Sequence, residues 1–439
     1  MSLTLITLIV ILGFLLLMAS GLPIAFCLIS SSIIFTLFFW KVDALYVIGT
    51  TIYSVSSKEV FIAIPFFVFL AAVLERSGIA ENLYDMFYKW VGRLGGGLAI
   101  GAVLICTIID AISGLGASGI VTIGPIALSE MSKRGYDKHM SVGCIAAGSA
   151  LGPLIPPSVI MIIIAGFTGL SVGKLFAGGL IPGLLCSFGF IVYIVIQCLR
   201  NPKMGPPISR EITITWSDRF VSLRSVILPV VLIVMVMGSI YTGITTPTEG
   251  AAVGAFGAMF CAAVNRTLTF KNLYLAGKAS VKITCMVMWL LIGGSLFATL
   301  LNAIGVQDAL SQFLQGIGKG YGGIVVLFIM MVIVFVMGMF IDGAAITVLT
   351  MPIFFPVVES AGLDPLWFGV LFTINICMGY LTPPFGMNLF YMKGIVSADV
   401  TMQDIYWSII PYVGVMIIVL ILGVVFPEIV VWLPNKLIQ

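Results

Sequence analysis

Long stretches without charge alternate along this chain with short charged connections. Residues 1–40 contain no Asp, Glu, Lys or Arg and are interrupted once, at Gly21-Leu22-Pro23, which predicts two apolar helices. Further apolar runs fall near 59–74, 98–129, 140–173, 175–199, 225–248, 250–265, 283–307, 320–341, 343–358, 365–392 and 405–427. A membrane-spanning helix takes about 20 residues at roughly 1.5 Å of rise each. The stretches 98–129, 140–173, 320–358 and 365–392 are too long for one span and too rich in Gly and Pro for two plain ones. Broken helices and re-entrant hairpins are the expected result. Unbroken runs, not alternating ones, also exclude a transmembrane barrel.

Composition agrees. Hydrophobic residues make up 60% of the 439 and charged residues 9%, where a soluble domain carries about 25% charged. Mean hydropathy is +1.20. Such a chain cannot clothe a water-facing surface, which excludes a soluble enzyme or a secreted domain. A net charge of +3, scattered, gives no patch for nucleic acid. The eight cysteines stand singly and His139 is the one histidine, so disulfide frameworks, zinc and haem sites have no support. The first charge is Lys41, so a secretory signal is not expected and the N-terminal run should persist as helix. The basic, proline-bearing stretch 200–224 reads as a cytoplasmic connection between two halves.

Those halves are related. At a shift of 227 residues Gly78 meets Gly305, Gly116 meets Gly343, Pro125 meets Pro352, Asp137 meets Asp364, Gly152 meets Gly379, and Pro156-Pro157 meets Pro383-Pro384. A constant offset marks an internal repeat. The loop 130–139 holds Lys133, Arg134 and Lys138, whereas 357–366 holds no Lys or Arg. Equivalent loops of opposite basic character lie on opposite sides of the membrane, which makes the repeat an inverted one, as in secondary transporters. The expected units are 1–212 and 213–439, with core regions about 98–198 and 320–427. The expected fold is an all-α polytopic membrane protein of about 11 transmembrane helices plus two re-entrant hairpins.

Each half carries a Gly-rich hairpin followed by Pro: Ser113 to Gly119 before Pro125, and Asp342-Gly343-Ala344-Ala345 before Pro352. Each then carries a break inside an apolar run, Gly152-Pro153-Leu154-Ile155-Pro156-Pro157-Ser158 and Gly379-Tyr380-Leu381-Thr382-Pro383-Pro384-Phe385-Gly386. A proline pair cannot continue a helix, so carbonyls are freed at one point. In hydrocarbon such groups persist only against protein or ligand. Converging carbonyls suit a desolvated cation, and half-helix N-termini suit an anionic substrate group. One such motif alone is more often a structural kink with tight packing; two copies at one offset favour a site.

Asp110 and Asp342 are candidates for cation attraction or hairpin anchoring, weighed against simple helix capping. Glu249, after Thr246-Pro247, is expected to start a helix, and Gly250-x-x-x-Gly254 to mark a close helix contact. With no Lys or Arg deep in the hairpin segments, a substrate is expected to meet hydroxyls and amides; Ser118, Thr122, Ser158, Thr347 and Asn388 are the candidates. Gly116-Ala117-Ser118-Gly119 also fits an intramembrane serine protease with His139 as base. Against this, the second half has Ala345 in the place of Ser118. A channel or an uncoupled scaffold is the other alternative. No Walker A sequence is present.

The segments Gly116–Met131, Gly152–Gly166, Met337–Val358 and Gly379–Met392 resemble the large membrane subunit of TRAP (tripartite ATP-independent periplasmic) transporters. The most specific parts are the two Gly-x-x-x-Pro-Pro breaks and Met339-Phe340-Ile341-Asp342-Gly343-Ala344-Ala345. The resemblance implies a Na⁺-coupled, elevator-type symporter of the bacterial inner membrane. It would import an organic acid (C4-dicarboxylate, sialic acid or another sugar acid) handed over by a periplasmic substrate-binding protein. It implies a small four-helix membrane subunit, here expected as a separate chain. It further implies two or more Na⁺ ions at the hairpin–break junctions. One would be held by Ser113, Gly152, Ile155 and Pro157, the other by Gly338, Gly379, Thr382 and Phe385, mostly through backbone carbonyls.

Overall fold

The computed structural model describes residues 3–39, 44–114, 116–207, 215–306, 309, 316 and 322–438. Among these residues the chain is helical and contains no strand. The first run forms α1 (Leu3–Ala19) and α2 (Ile24–Phe39), parted where expected. Next comes α3 (Leu45–Ser56), which the run pattern misses because charges flank it. A 3₁₀ turn (Glu59–Ile62) then leads into α4 (Ala63–Glu75), bent by 56° from α3. The amphipathic α5 (Ile79–Val91), also missed, carries an exposed Lys89–Asp85 pair at 2.5 Å.

The inner part of the first half comprises α6 (Gly97–Ser113), α7 (Ser118–Lys133), α8 (Lys138–Ser149), α9 (Val159–Thr168) and α10 (Val172–Arg200). The basic connection is shorter than the run pattern predicts. A capping box between Thr215 and Asp218 starts α11 (Trp216–Tyr241) early, so Arg219 belongs to a helix. Residues 208–214 of that connection lie outside the described residues, as does Leu115 of the first hairpin.

As expected, Thr246, Pro247 and Glu249 open α12 (Pro247–Val264). Glu249 N–H donates to Thr246 Oγ1 (3.2 Å), and the Glu249 carboxylate accepts from Thr246 N–H (2.8 Å). Gly254 is a contact point: a Cβ there would stand 2.6 Å from Leu70 Cδ1 of α4. Thr269 caps α13 (Phe270–Ala303), which therefore begins before the apolar run and carries Lys271, Lys278 and Lys282 in its first turns.

The remaining helices are α14 (Gly323–Gly338), α15 (Gly343–Ser360), α16 (Pro365–Tyr380), α17 (Met387–Ile395), α18 (Met402–Val425) and α19 (Glu428–Leu437). Five described helices are each long and apolar enough to cross a membrane, or up to seven if each bent pair is one span. Six further apolar helices run to only 10–17 residues, and four of them, α6, α9, α14 and α16, border the Gly and Pro breaks.

Helices α2, α4 and α13 pack together, and α13 also meets α15. Inside them the two halves interlock: α7 and α8 against α17, α9 against α15, α8 against α18, and α10 against α16 and α19. Between helices in lipid there is little hydrophobic driving force, so close backbone approach and polar links hold the assembly. Buried Asn375 shows such a link, its amide donating to Met331 O of α14 at 2.5 Å.

Candidate functional site

Helices α6 and α7 form the first hairpin. Gly114 ends α6 in the left-handed region (φ 67°), with its N–H on Asp110 O at 2.8 Å. The hairpin tip lodges in the first break, between α8 and α9. A Cβ on Gly114 would meet Pro157 O at 2.8 Å, and one on Gly152 would meet Gly116 N at 2.7 Å and Asp110 O at 2.9 Å. Only residues without side chains allow this approach. Ser113 Oγ donates to Asp110 O at 3.2 Å. Ser113, Gly152 and Pro157 are thus gathered at one junction, whereas the Ile155 side chain packs towards Gly183 of α10.

The second half builds its junction differently. Gly338, at the end of α14, crosses Gly379 near the end of α16, where a Cβ on either would stand 2.7–3.0 Å from the other's Cα. Tyr380 O and Thr382 N and O surround Gly386, each within 2.9 Å of where its Cβ would be. Thr382 Oγ1 donates to Met378 O (2.7 Å), and Thr382 O accepts from Gly386 N–H (3.1 Å). The Phe385 ring is exposed and stacks on Phe390 at 5.9 Å. Both proline pairs, Pro156-Pro157 and Pro383-Pro384, hold a cis peptide bond.

Between the junctions and the outer helices lies a cavity of about 630 Å³. Pro23 walls it from the turn before α2, Ile24 to Phe26 from α2, Glu75 from α4, Ser118 and Thr122 from α7, and Trp289 from α13. Asp342, Tyr380, Asn388 and Tyr391 close the far side. Of the expected substrate residues, Ser118, Thr122 and Asn388 do face it. Ser158 does not: it is fully buried as the cap of α9, accepting from Met161 N–H (3.2 Å) and donating to Pro153 O. Nor does Thr347, whose buried hydroxyl donates to Gly343 O at 2.7 Å. Both hydroxyls lie inside the apolar interior, where the nearest backbone oxygen claims them.

The acids act as caps. Asp342 accepts from Ala344 N–H (2.9 Å) at the start of α15, and Tyr380 Oη stands between Gly343 N (3.2 Å) and Asp342 Oδ2 (3.4 Å). Fully buried Asp110 accepts from Gly119 N–H (2.9 Å) at the start of α7. The expected anion-binding N-termini of α7 and α15 are therefore already met by carboxylates of the chain. Sequence reasoning missed Glu75, which lines the cavity from the end of α4. Beside Arg76 it reads as a loop charge. It also missed Tyr380, although that residue stands inside the second break motif. Among the described residues no group of three His, Cys, Asp or Glu is arranged to hold a metal.

Residues 11–429 match the family described as the DctM component of the tripartite ATP-independent periplasmic transporter. The chain belongs to this family. It is 31% identical over 448 residues to the C4-dicarboxylate TRAP transporter large permease protein DctM of Vibrio cholerae, covering 96% of this chain and 95% of the relative. It is 32% identical to the ectoine TRAP transporter large permease protein TeaC of Halomonas elongata, covering 85% of each. Its fold is similar to that of the YdaH transporter of Alcanivorax borkumensis, at a TM-score of 0.59 and 12% identity over 88% of this chain and 90% of that one. The chain is thus a multi-pass large permease of the TRAP type, a transporter and not an enzyme. In this TRAP permease His139 sits beside Asp404 (3.5 Å) and Asp137 (3.7 Å) at the start of α8, not on the cavity that Ser118 lines. The serine-protease alternative has no catalytic pair.

Proposed function

We propose that this TRAP permease drives Na⁺-coupled uptake of an organic acid through the cavity between its two hairpins. The supporting observation is that one cavity is walled by the first hairpin (Ser118, Thr122), the second hairpin (Asp342), the second break (Tyr380) and α17 after it (Asn388), and by α2, α4 and α13 outside them. In this reading residues 1–212 and 213–439 are inverted repeats. Their hairpins and breaks move as a core against the outer helices, in an elevator motion across the bacterial inner membrane.

Sodium is assigned to the two junctions. One ion takes oxygens from Ser113, Gly152, Ile155 and Pro157, the other from Gly338, Gly379, Thr382 and Phe385. The fit rests on the glycine contacts: backbone crowds both junctions where any Cβ would intrude, which suits a small hard cation held by carbonyls. Bound cations preform the cavity, since a ligand shifts a conformation only by its differential affinity. A periplasmic substrate-binding protein delivers the acid, and a small four-helix membrane subunit on a separate chain completes the complex. The relatives' names span C4-dicarboxylates and ectoine, so they leave the choice of acid to the site.

Uptake by proteoliposomes containing the chain and both partners tests this. Transport that ignores a sodium gradient refutes the coupling, and flux that neither saturates nor needs the binding protein points to a channel. Thr382→Ala retains the carbonyl and removes the hydroxyl, so an unchanged sodium dependence would exclude the Thr382 side chain as a ligand.

A further inference from the structure

The turn that leads into α4 grips α9. Lys58 Nζ donates to Gly166 O at 2.6 Å. Gly166 lies in the last turn of α9, where carbonyls lack an intrahelical donor and the helix pole is negative, so an ammonium group suits it on both counts. Buried Phe61 covers the same residue: a Cβ on Gly166 would collide with its ring. Lys58 Nζ stands 5.9 Å from the centre of that ring and enters no ion pair among the described residues. Helix α9 follows the first break and packs on α15, whereas Lys58 and Phe61 belong with the outer helices. The contact therefore joins the two bodies that the transport reading sets in motion. Its side of the membrane follows from α12. Thr248 Oγ1, at the start of α12, donates to Glu59 O (3.4 Å) beside the grip. The far end of α12 leads to Asn265 and Thr267, which line a surface cleft with Glu75, Arg76 and Glu81. Lys271, Lys278 and Lys282 follow in α13, so that end is cytoplasmic and the grip periplasmic. Glu75 lines both the cleft and the cavity, which puts the cavity at the cytoplasmic end of α4.

We propose that Lys58 and Phe61 form a clasp on α9 that holds the core with its cavity towards the cytoplasm, and that both leave Gly166 before the cavity opens to the periplasm. This rests on the transport reading above. A contact made in one state alone biases the equilibrium by what it contributes there. One ammonium at a helix C-terminus is enough to change the periplasm-open fraction about two- to fivefold. Both clasp residues act through α9, touch no substrate and are positioning residues.

Thiol labelling in right-side-out membrane vesicles, from cells making the full-length chain and its small membrane subunit, tests the proposal. Cys285 is exposed and the other seven cysteines are buried, so Cys285→Ser gives a quiet background. Val121→Cys then places one thiol on the α7 wall of the cavity. A membrane-impermeant methanethiosulfonate added outside reads the periplasm-open fraction. Lys58→Met and Phe61→Ala are each expected to raise the labelling rate about two- to fivefold, and Lys58→Arg, which keeps the charge and the donor, to restore it. Ser280→Ala removes a bond within the outer helices, from Ser280 Oγ to Pro65 O (2.9 Å), and is expected to leave the rate unchanged. A rate unmoved by Lys58→Met, or raised equally by Ser280→Ala, overturns the clasp; Lys58→Met decides this even if Phe61→Ala fails to fold. Sodium-driven uptake with labelling unmoved by Lys58→Met overturns the clasp and leaves the transport reading standing. Labelling raised by Lys58→Met in a chain whose uptake ignores sodium does the reverse.

Discussion

Gly379→Ala probes the junction of the second half directly. The new Cβ would stand 2.7 Å from Gly338 Cα and 2.9 Å from Gly338 C. Non-bonded carbons rest at about 3.5–4.0 Å, so α14 and α16 must part by roughly 1 Å at their crossing. The clashing atoms are backbone, and no rotamer change relieves them. Overpacking of this kind costs about 1–3 kcal/mol, and the better helix propensity of Ala returns up to about 1 kcal/mol. A net loss of about 1–2 kcal/mol is expected, roughly a 5- to 30-fold change in the folding equilibrium. Gly414→Ala in α18, with nothing within 4 Å of its Cβ, is the control and should be neutral or stabilising. Unfolding by dodecyl sulfate in mixed micelles reads both. Because the two glycines touch, Gly338→Ala with Gly379→Ala should cost less than the sum of the single changes. Equal effects of Gly379→Ala and Gly414→Ala, or strict additivity of the pair, would refute the close crossing. Loss of crossing without loss of sodium dependence would separate this contact from the proposed ion site.

Three further changes follow from single contacts. Ser158→Ala removes the cap of α9 and should cost about 1 kcal/mol in the same unfolding assay, with substrate affinity unchanged because Ser158 does not reach the cavity. Asn375→Leu breaks the α16–α14 link to Met331 O and should cost about 0.6–2 kcal/mol, the range for polar links between membrane helices. Lys58→Met removes the ammonium bonded to Gly166 O (2.6 Å) in the last turn of α9. A loss of about 0.3–1 kcal/mol that shrinks at high salt is expected, and a salt-independent loss would assign the effect to packing.

Much of the architecture is legible because lipid imposes it. Charge-free runs, the Gly21-Leu22-Pro23 interruption and the two proline pairs all mark real helix ends, since a backbone in hydrocarbon must be paired or broken at residues that force the break. What stays hidden is of two kinds. Helices α3 and α5 carry charges at their ends or along one face, so a run pattern reads them as connections. The cavity wall depends on which residues meet across the two halves. Glu75 lies 43 residues from Ser118 and on another helix, and nothing local to either announces that they line one cavity. Conversely, Ser158 and Thr347 have the right chemistry in the right motifs, but in a low-dielectric interior a hydroxyl bonds to the nearest carbonyl.

The hairpin acids show how far a repeat can be read in register. At the shift of 227 residues Asp110 falls on Met337, and Asp342 falls on Leu115. By alignment they are unrelated, yet each supplies a carboxylate to the start of its half's hairpin helix. Asp110 does so from within α6, reaching across to Gly119 N–H, while Asp342 does so from the cap position of α15 itself. The requirement common to both is physical. A helix start inside the protein presents unpaired N–H groups and a positive pole that bulk water does not reach. Any acid within reach serves. The consequence differs between halves, because Asp110 is sealed behind the hairpin while Asp342 also faces the cavity. Neutralising Asp110 should therefore weaken the hairpin alone, whereas neutralising Asp342 should weaken the second hairpin and alter charge recognition in the cavity.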